Sequence, residues 1–342
     1  MLKWTKRILV TITLLALALL AALMATAQRS ERPVGFQMVR GSVPGAAPFA
    51  VGIWYPTGAT PRPTTLLGLT MLNVAPDAPL AGSKLPLIIL SHGNGGGPGS
   101  HVDLAMALAS AGFIVAAPMH NGDNYTDQSA VASASFVHGR QRQLREAVDF
   151  MLAGWSERDR IDRSRIGAYG FSAGALTVLT AVGVQADLRE VGRHCATSVE
   201  FACEMFRKVK SPLLAFEPGT MGAPFVADVR IKAAVVAAPG VGFALTRESL
   251  AAVRIPVQLW HADADTSVPY ETNARRVREG LGARGEFHLV PNAGHFAFLA
   301  PCALAGPPLL CADKPEFDRK SFHAYMNSRV IAFFKMTLPE SA

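Results

Sequence analysis

Cysteine is scarce and late in this chain: four in 342 residues, none before Cys195. No two stand as C-x-x-C and no His pair lies beside them at ligand spacing, which excludes a zinc knuckle and a dithiol redox motif. An N-terminal lipid anchor is excluded as well, because it needs an early cysteine. Acidic residues are absent from residues 1 to 27, and no long run of Lys or Arg occurs anywhere. There is no internal repeat and no G-x-x-x-x-G-K-[ST] phosphate loop. Charged residues make up only 17% of the chain against 50% hydrophobic, a balance that excludes a disordered protein. The formal charge of +7 falls to +4 once Lys3, Lys6 and Arg7 are set aside, a surplus too mild and too dispersed to argue for nucleic acid.

What is present begins with an address. The basic start is followed by an apolar run from Ile8 to Leu23, broken only by Thr11 and Thr13, and then by Ala25-Thr26-Ala27. Small residues at Ala25 and Ala27 suit a signal-peptidase site, so residues 1–27 are expected to be a signal peptide. Cleavage would fall before Gln28 and leave residues 28–342 as the mature, periplasmic or secreted domain. The alternative is an uncleaved membrane anchor through residues 8–25, a run close to the ~18 residues needed to span. The cysteines agree with export. Their spacing favours Cys195 with Cys203 and Cys302 with Cys311 among the three possible pairings, as disulfides in an oxidising compartment.

From Phe36 onward short β-rich runs alternate with helical periodicity, the pattern of an α/β fold on a mainly parallel sheet. Strands are expected near Phe36 to Val39, Phe49 to Tyr55, Leu85 to Ser91, Phe113 to Ala117, Arg165 to Tyr169, Ile231 to Ala237, Pro256 to His261 and Glu286 to Val290. Helices are expected over Val102 to Ser110, Gln141 to Leu152, Ala173 to Val184, Glu271 to Leu281 and Phe317 to Phe334. Pro56 to Lys84, rich in Pro, Thr and Gly, reads as a long connection. Gln185 to Arg230 reads as an insertion after a helix, placed where it could cover the strand ends like a cap.

The chemistry sits in four strand-end segments. Gly170-Phe171-Ser172-Ala173-Gly174 is a G-x-S-x-G sequence between an apolar strand and a helical run, the context of a nucleophile elbow. Its bland reading is a helix N-cap serine. About eighty residues earlier, the strand Leu85 to Leu90 runs into Ser91-His92-Gly93-Asn94-Gly95-Gly96-Gly97, where bare backbone can approach a ligand. The N–H groups of Ala173 and Asn94 are the candidate oxyanion donors, and His92 a residue that orients the loop. An acid and a base must follow the nucleophile in that order. Asp265, in Asp265-Thr266-Ser267-Val268-Pro269, is preferred as the acid over Asp263, and His295, in Gly294-His295-Phe296, is the candidate base.

With these residues assembled the chain resembles the α/β-hydrolase superfamily. Within it, the chain is similar to the bacterial group described as predicted dienelactone hydrolases that are themselves similar to platelet-activating factor acetylhydrolases. The matching pieces are Val51 to Pro56, Leu90 to Gly96, Gly170 to Gly174, Asp265 to Pro269, Gly294 to Phe296, and the tail from Phe298-Leu299-Ala300-Pro301-Cys302 to Phe317-Asp318. The resemblance implies a serine hydrolase acting on small-molecule esters with no cofactor and no metal. Two departures stand out. Dienelactone hydrolases proper use Cys where this chain has Ser172, and relatives often have a second Gly where this chain has Ala175.

The expectation is therefore an exported carboxylic ester hydrolase working through an acyl-enzyme on Ser172, His295 and Asp265. A cutinase-like polyester hydrolase or a lipase shares every one of these pieces. A non-catalytic binding protein on a hydrolase fold is the rival from another class, and the complete Ser172, Asp265, His295 set argues against it.

Overall fold

In the computed structural model, which describes residues 2–25, 27–66, 70–215, 224–302 and 306–340, one ten-stranded sheet carries the molecule. An N-terminal helix α1 (Leu2–Ala25) comes first. Then follow β1 (Val34–Gly41), β2 (Phe49–Pro56), β3 (Arg62–Leu66), β4 (Thr70–Pro76) and β5 (Leu85–Ser91). Next in order come α2 (Val102–Ser110), β6 (Ile114–Pro118), α3 (Phe136–Ala153), β7 (Ile161–Phe171), α4 (Ala173–Ala181), α5 (Arg189–Cys195) and α6 (Phe201–Lys208). The remainder is β8 (Ile231–Ala237), α7 (Arg247–Ala252), β9 (Val257–Ala262), α8 (Ala274–Leu281), β10 (Gly285–Val290), the single turn α9 (Pro308–Cys311) and α10 (Arg319–Thr337).

The sheet order is β10-β9-β8-β7-β5-β6-β2-β1-β4-β3. The strands from β6 through β5, β7, β8 and β9 to β10 are all parallel, while β2 joins β6 and β1 antiparallel. Strand β5 lies between β6, which follows it, and β7, so the winding reverses there. A crevice therefore opens beyond the carboxyl ends of β5 and β7, where ligands bind in folds of this kind.

The central strands are buried on both faces, and their side chains divide two cores by the period of two. Leu87 and Ile89 of β5 pack with Leu144, Val148, Leu176 and Leu179 of α3 and α4, while Ile88 and Leu90 pack with Leu104, Leu108, Val330 and Phe334 of α2 and α10. Each such side chain taken out of water contributes about 1.5–3 kcal/mol. The alternation explains why β5 reads as continuously apolar.

The segment from Pro56 to Lys84 is more than a connection. It folds into the antiparallel pair β3/β4, in register from Arg62↔Val74 to Leu66↔Thr70, and β4 extends the sheet beside β1. Pro63 obscures the strand in the sequence, yet β3 is an edge strand, where a missing N–H costs little. Leu66, Leu72, Val74 and Ala75 are among its buried side chains.

Helix α1 leaves Trp4, Ile8, Leu9, Val10, Ile12, Leu14, Leu15 and Leu17 exposed. The packed body begins at its far end: Ala27 is buried, and Gln28 exchanges two backbone hydrogen bonds of 2.9 Å with Met71 and Asn73. Both cysteine pairs close as expected, Cys195–Cys203 and Cys302–Cys311.

Candidate active site

The turn from β7 into α4 leaves no room for side chains on either side of Ser172. An ideal Cβ on Gly170 would stand 2.2 Å from the Gly174 carbonyl oxygen, and one on Gly174 would stand 2.0 Å from that of Ser91. Ser172 itself has φ 55° and ψ −117°, a conformation that costs a non-glycine residue of order 1–3 kcal/mol. Neighbouring backbone holds it there: Ser172 N–H donates to Ala237 O at 2.9 Å, and its carbonyl accepts from Gly240 N–H at 3.2 Å. The half-buried hydroxyl faces the crevice while Ala173 opens α4, with an N–H that has no acceptor within the helix.

His295 Nε2 lies 3.1 Å from Ser172 Oγ, and its Nδ1 lies 2.6 Å from Asp265 Oδ2. The other carboxylate oxygen of Asp265 accepts the N–H groups of Ser267 and Val268 at 2.9 and 2.8 Å, which fixes the carboxylate toward the imidazole. Asp265 is buried and Asp263 is exposed, so the geometry brings Asp265 and not Asp263 to His295. The acid and histidine loops are tied by Asp263 N–H to Val290 O and Ala264 N–H to Ala293 O, both 3.0 Å. The ring of Phe171 packs on His295 with centroids 4.8 Å apart.

The glycine-rich loop after β5 runs alongside. Gly93 lies close to Ser172, since an ideal Cβ there would be 3.4 Å from Ser172 Cβ, and Asn94 follows it. A buried ion pair braces this loop. Asp123 Oδ1 accepts Asn94 Nδ2 at 2.7 Å and Gly95 N–H at 2.8 Å, while its Oδ2 pairs with Arg140. Arg140 also donates to His92 O and, at 2.9 Å, to Thr177 Oγ1. His92 donates from Nδ1 to Gly93 O at 2.7 Å and accepts His120 N–H at Nε2, the arrangement of a neutral ring. Burial, reinforced by Arg140, holds His92 well below the usual histidine range. It ties Gly93 of the loop to the backbone of His120.

Sequence reasoning missed Asp123, Arg140 and His120. A usable signal existed, because His120 and Asp123 directly follow β6 and so lie at the carboxyl edge where the crevice opens. It missed a second brace too. His323 donates from Nδ1 to Asp103 Oδ2 at 2.6 Å and from Nε2 to Ala297 O at 2.8 Å, pinning the turn that begins at His295. Burial opposes charge on both groups. The pairing outweighs it, with Asn327 donating to the same carboxylate, so His323 is raised and Asp103 is brought down to about 2.

The insertion at 185–230, of which residues 216–223 lie outside the described residues, sits at the same edge. Phe201 N–H reaches Ser267 O at 3.3 Å in the acid turn. Glu200 accepts from Thr272 and Asn273 beside that turn at 2.6 and 2.9 Å, and His194 closes the cluster.

The fold and the elbow define the class: this is an α/β-hydrolase fold with a serine at the turn after its central strand. Residues 63–158 match the family model of platelet-activating factor acetylhydrolase, isoform II. That stretch holds the glycine-rich loop, Asp123 and Arg140, and stops short of Ser172. Among solved structures the chain is similar to a ferulic acid esterase from Streptomyces cinnamoneus, with a TM-score of 0.62 and 20% identity over 91% of this chain and 94% of that one. No curated protein matches the chain.

Proposed function

We propose that the protein is an exported serine esterase that cleaves a carboxylic ester through an acyl-enzyme. The observation that carries this reading is the hydrogen-bonded line from Ser172 Oγ through His295 to Asp265, at 3.1 and 2.6 Å. Ser172 Oγ attacks the carbonyl carbon and gives its proton to His295 Nε2. The oxyanion accepts the N–H groups of Ala173 and Asn94. Collapse expels the alcohol, which takes the proton from His295, and water then repeats the sequence on the acyl-serine. Asp265 keeps Nδ1–H of His295 in place and stabilises the imidazolium. The structurally similar ferulic acid esterase is by name an enzyme that acts on an ester.

Export rests on separate support. The two disulfides suit an oxidising compartment, and the packed body starts at Ala27 and Gln28, where cleavage is expected. Labelling with a fluorophosphonate tests the enzyme reading: an adduct on Ser172 and hydrolysis of p-nitrophenyl acetate are expected. A folded protein with no adduct would favour the binding-protein rival. The mass of the exported protein tests the rest, with Gln28 expected as its first residue.

A further inference from the structure

Beside the glycine-rich loop lies an apolar cavity of about 410 Å³. One wall is formed by Gly95, Gly96 and Gly97, in the loop that bears Asn94. Leu66 of β3 and Tyr125 contribute a second wall, and Leu299 and Ala300, just past the His295 turn, a third. The remaining side is formed by Cys302, Gly306, Pro307, Leu310 and Cys311 of the tail loop closed by Cys302–Cys311, whose residues 303–305 lie outside the described residues, while Leu309 is exposed. Its volume is within the range of small-molecule sites, ~300–1,000 Å³.

Proximity to the chemistry follows from the chain. A Cβ built on Gly93 would stand 3.4 Å from Ser172 Cβ, and Gly95, two residues on, is at most about 7.6 Å from Gly93 between Cα atoms. The opposite rim starts four residues after His295. The cavity is thus flanked by two of the segments that form the catalytic crevice, the loop of the proposed oxyanion donor and the turn of the proposed base.

Its wall is built to stay put. A Cβ on Gly306 would stand 2.4 Å from Cys311 Sγ, so only glycine lets the tail wrap this closely over the disulfide. Arg319, paired with Asp313 at 2.8 Å, lies 3.8 Å from Cys302 Sγ. Ala300 N–H donates to Ser100 O at 2.9 Å and Gln28 Nε2 to Pro301 O at 3.3 Å, which anchors the start of the tail to the glycine-rich side and to the first residue of the body. A preformed apolar wall binds without first ordering itself.

The geometry points to this cavity as the subsite for the apolar arm of the ester, with the disulfide loop as its specificity wall. The assignment rests on the esterase reading above. The insertion at 185–230 touches the turn of Asp265 instead, and none of its described residues lines this cavity.

Two ester series test it on the full exported protein: p-nitrophenyl esters from acetyl to octanoyl for the acyl arm, and methyl to octyl acetates for the alcohol arm. In one of them kcat/KM should climb roughly fourfold per methylene until the cavity is full. The series that climbs identifies the arm. Leu310→Trp should cut the ratio of long-chain to acetyl kcat/KM by about tenfold or more, and Leu310→Ala should move the optimum to longer chains. Flat profiles in both series, from a protein that takes fluorophosphonate at Ser172, would overturn the subsite alone. So would a ratio that stays within about twofold in both Leu310 variants. A protein that takes no adduct would remove the esterase reading and the subsite with it.

Discussion

Asp123→Ala separates what the buried ion pair does for stability from what it does for the glycine-rich loop. The Arg140 side chain is 3% exposed and that of Asp123 is fully buried, so the substitution strands a guanidinium in the interior. Breaking such a pair from one side costs about 3–5 kcal/mol. Against a typical stability of about 5–15 kcal/mol the protein should still fold. At about 2–4 °C per kcal/mol for a chain of this size, Tm should fall by roughly 10 °C or somewhat more.

The catalytic loss has a different origin. Asp123 Oδ1 is the acceptor for both Asn94 Nδ2 and Gly95 N–H, so its removal frees the side chain of the proposed oxyanion donor and the backbone that follows it. Losing one such donor costs about 10²–10³ in kcat, which bounds the effect of loosening it. Adding Arg140→Met removes the stranded charge. The double variant should recover much of the Tm and none of the kcat, because the acceptor for the loop is still missing. Urea or thermal melts read the first quantity and p-nitrophenyl acetate kinetics the second. A destabilised single variant with kcat unchanged would refute the reasoning and leave the pair as scaffold only.

Gly174→Ala places a methyl 2.0 Å from the Ser91 carbonyl oxygen, so activity should be lost together with several degrees of Tm; a fully active variant would contradict the packing of the elbow. Ser172→Ala and His295→Ala should each cost on the order of 10⁴–10⁶ in kcat and no more in combination, because the groups act as a unit. Asp265→Asn should cost roughly 10²–10⁴, and Asp263→Asn little; a larger loss at Asp263 would transfer the acid to it. Asp103, depressed to about 2, contributes stability above its unfolded value of 3.8 that is lost as pH falls through about 2. His323, raised, contributes below 6.5 and loses its contribution as pH rises through its folded value. The Tm gap between wild type and His323→Gln should therefore be widest from about pH 4 to 6.5 and narrow above it, and a gap that widens with alkali would reverse the assignment of charge.

The parallel half of the sheet was legible because its strands are long, apolar and punctuated. Leu85 to Ser91 and Ile231 to Ala237 have the expected bounds. The hairpin at β3 and β4 was hidden because Pro63 and the Thr-rich composition lie on an edge, where propensity and pattern are weak guides. Helix α3 starts at Phe136 rather than Gln141, since its first turns mix His138 and Arg140 with buried Phe136 and Val137. Nothing local marks Arg140 there, and only the fold reveals that it points into the protein.

The same reasoning explains which parts of the site could be read. The three side chains proposed for catalysis each sit in a local motif, a turn whose glycines and neighbours are adjacent in sequence, so each announces itself. The groups that hold those turns do not. Asp123 and Arg140 brace the glycine-rich loop, His323 and Asp103 brace the His295 turn, and Glu200 with His194 braces the side of the acid turn. His323 and Asp103 are 220 residues apart, and Glu200 meets Asn273 across 73. No local window of sequence contains either of these two pairs. Their common trait is physical: each is a charged or polar cluster buried beside a loop that must keep its shape, where an unpaired member would be costly. Loops at a strand edge lack the repeating backbone bonds of the sheet, and in this chain polar contacts brought from distant elements supply that rigidity.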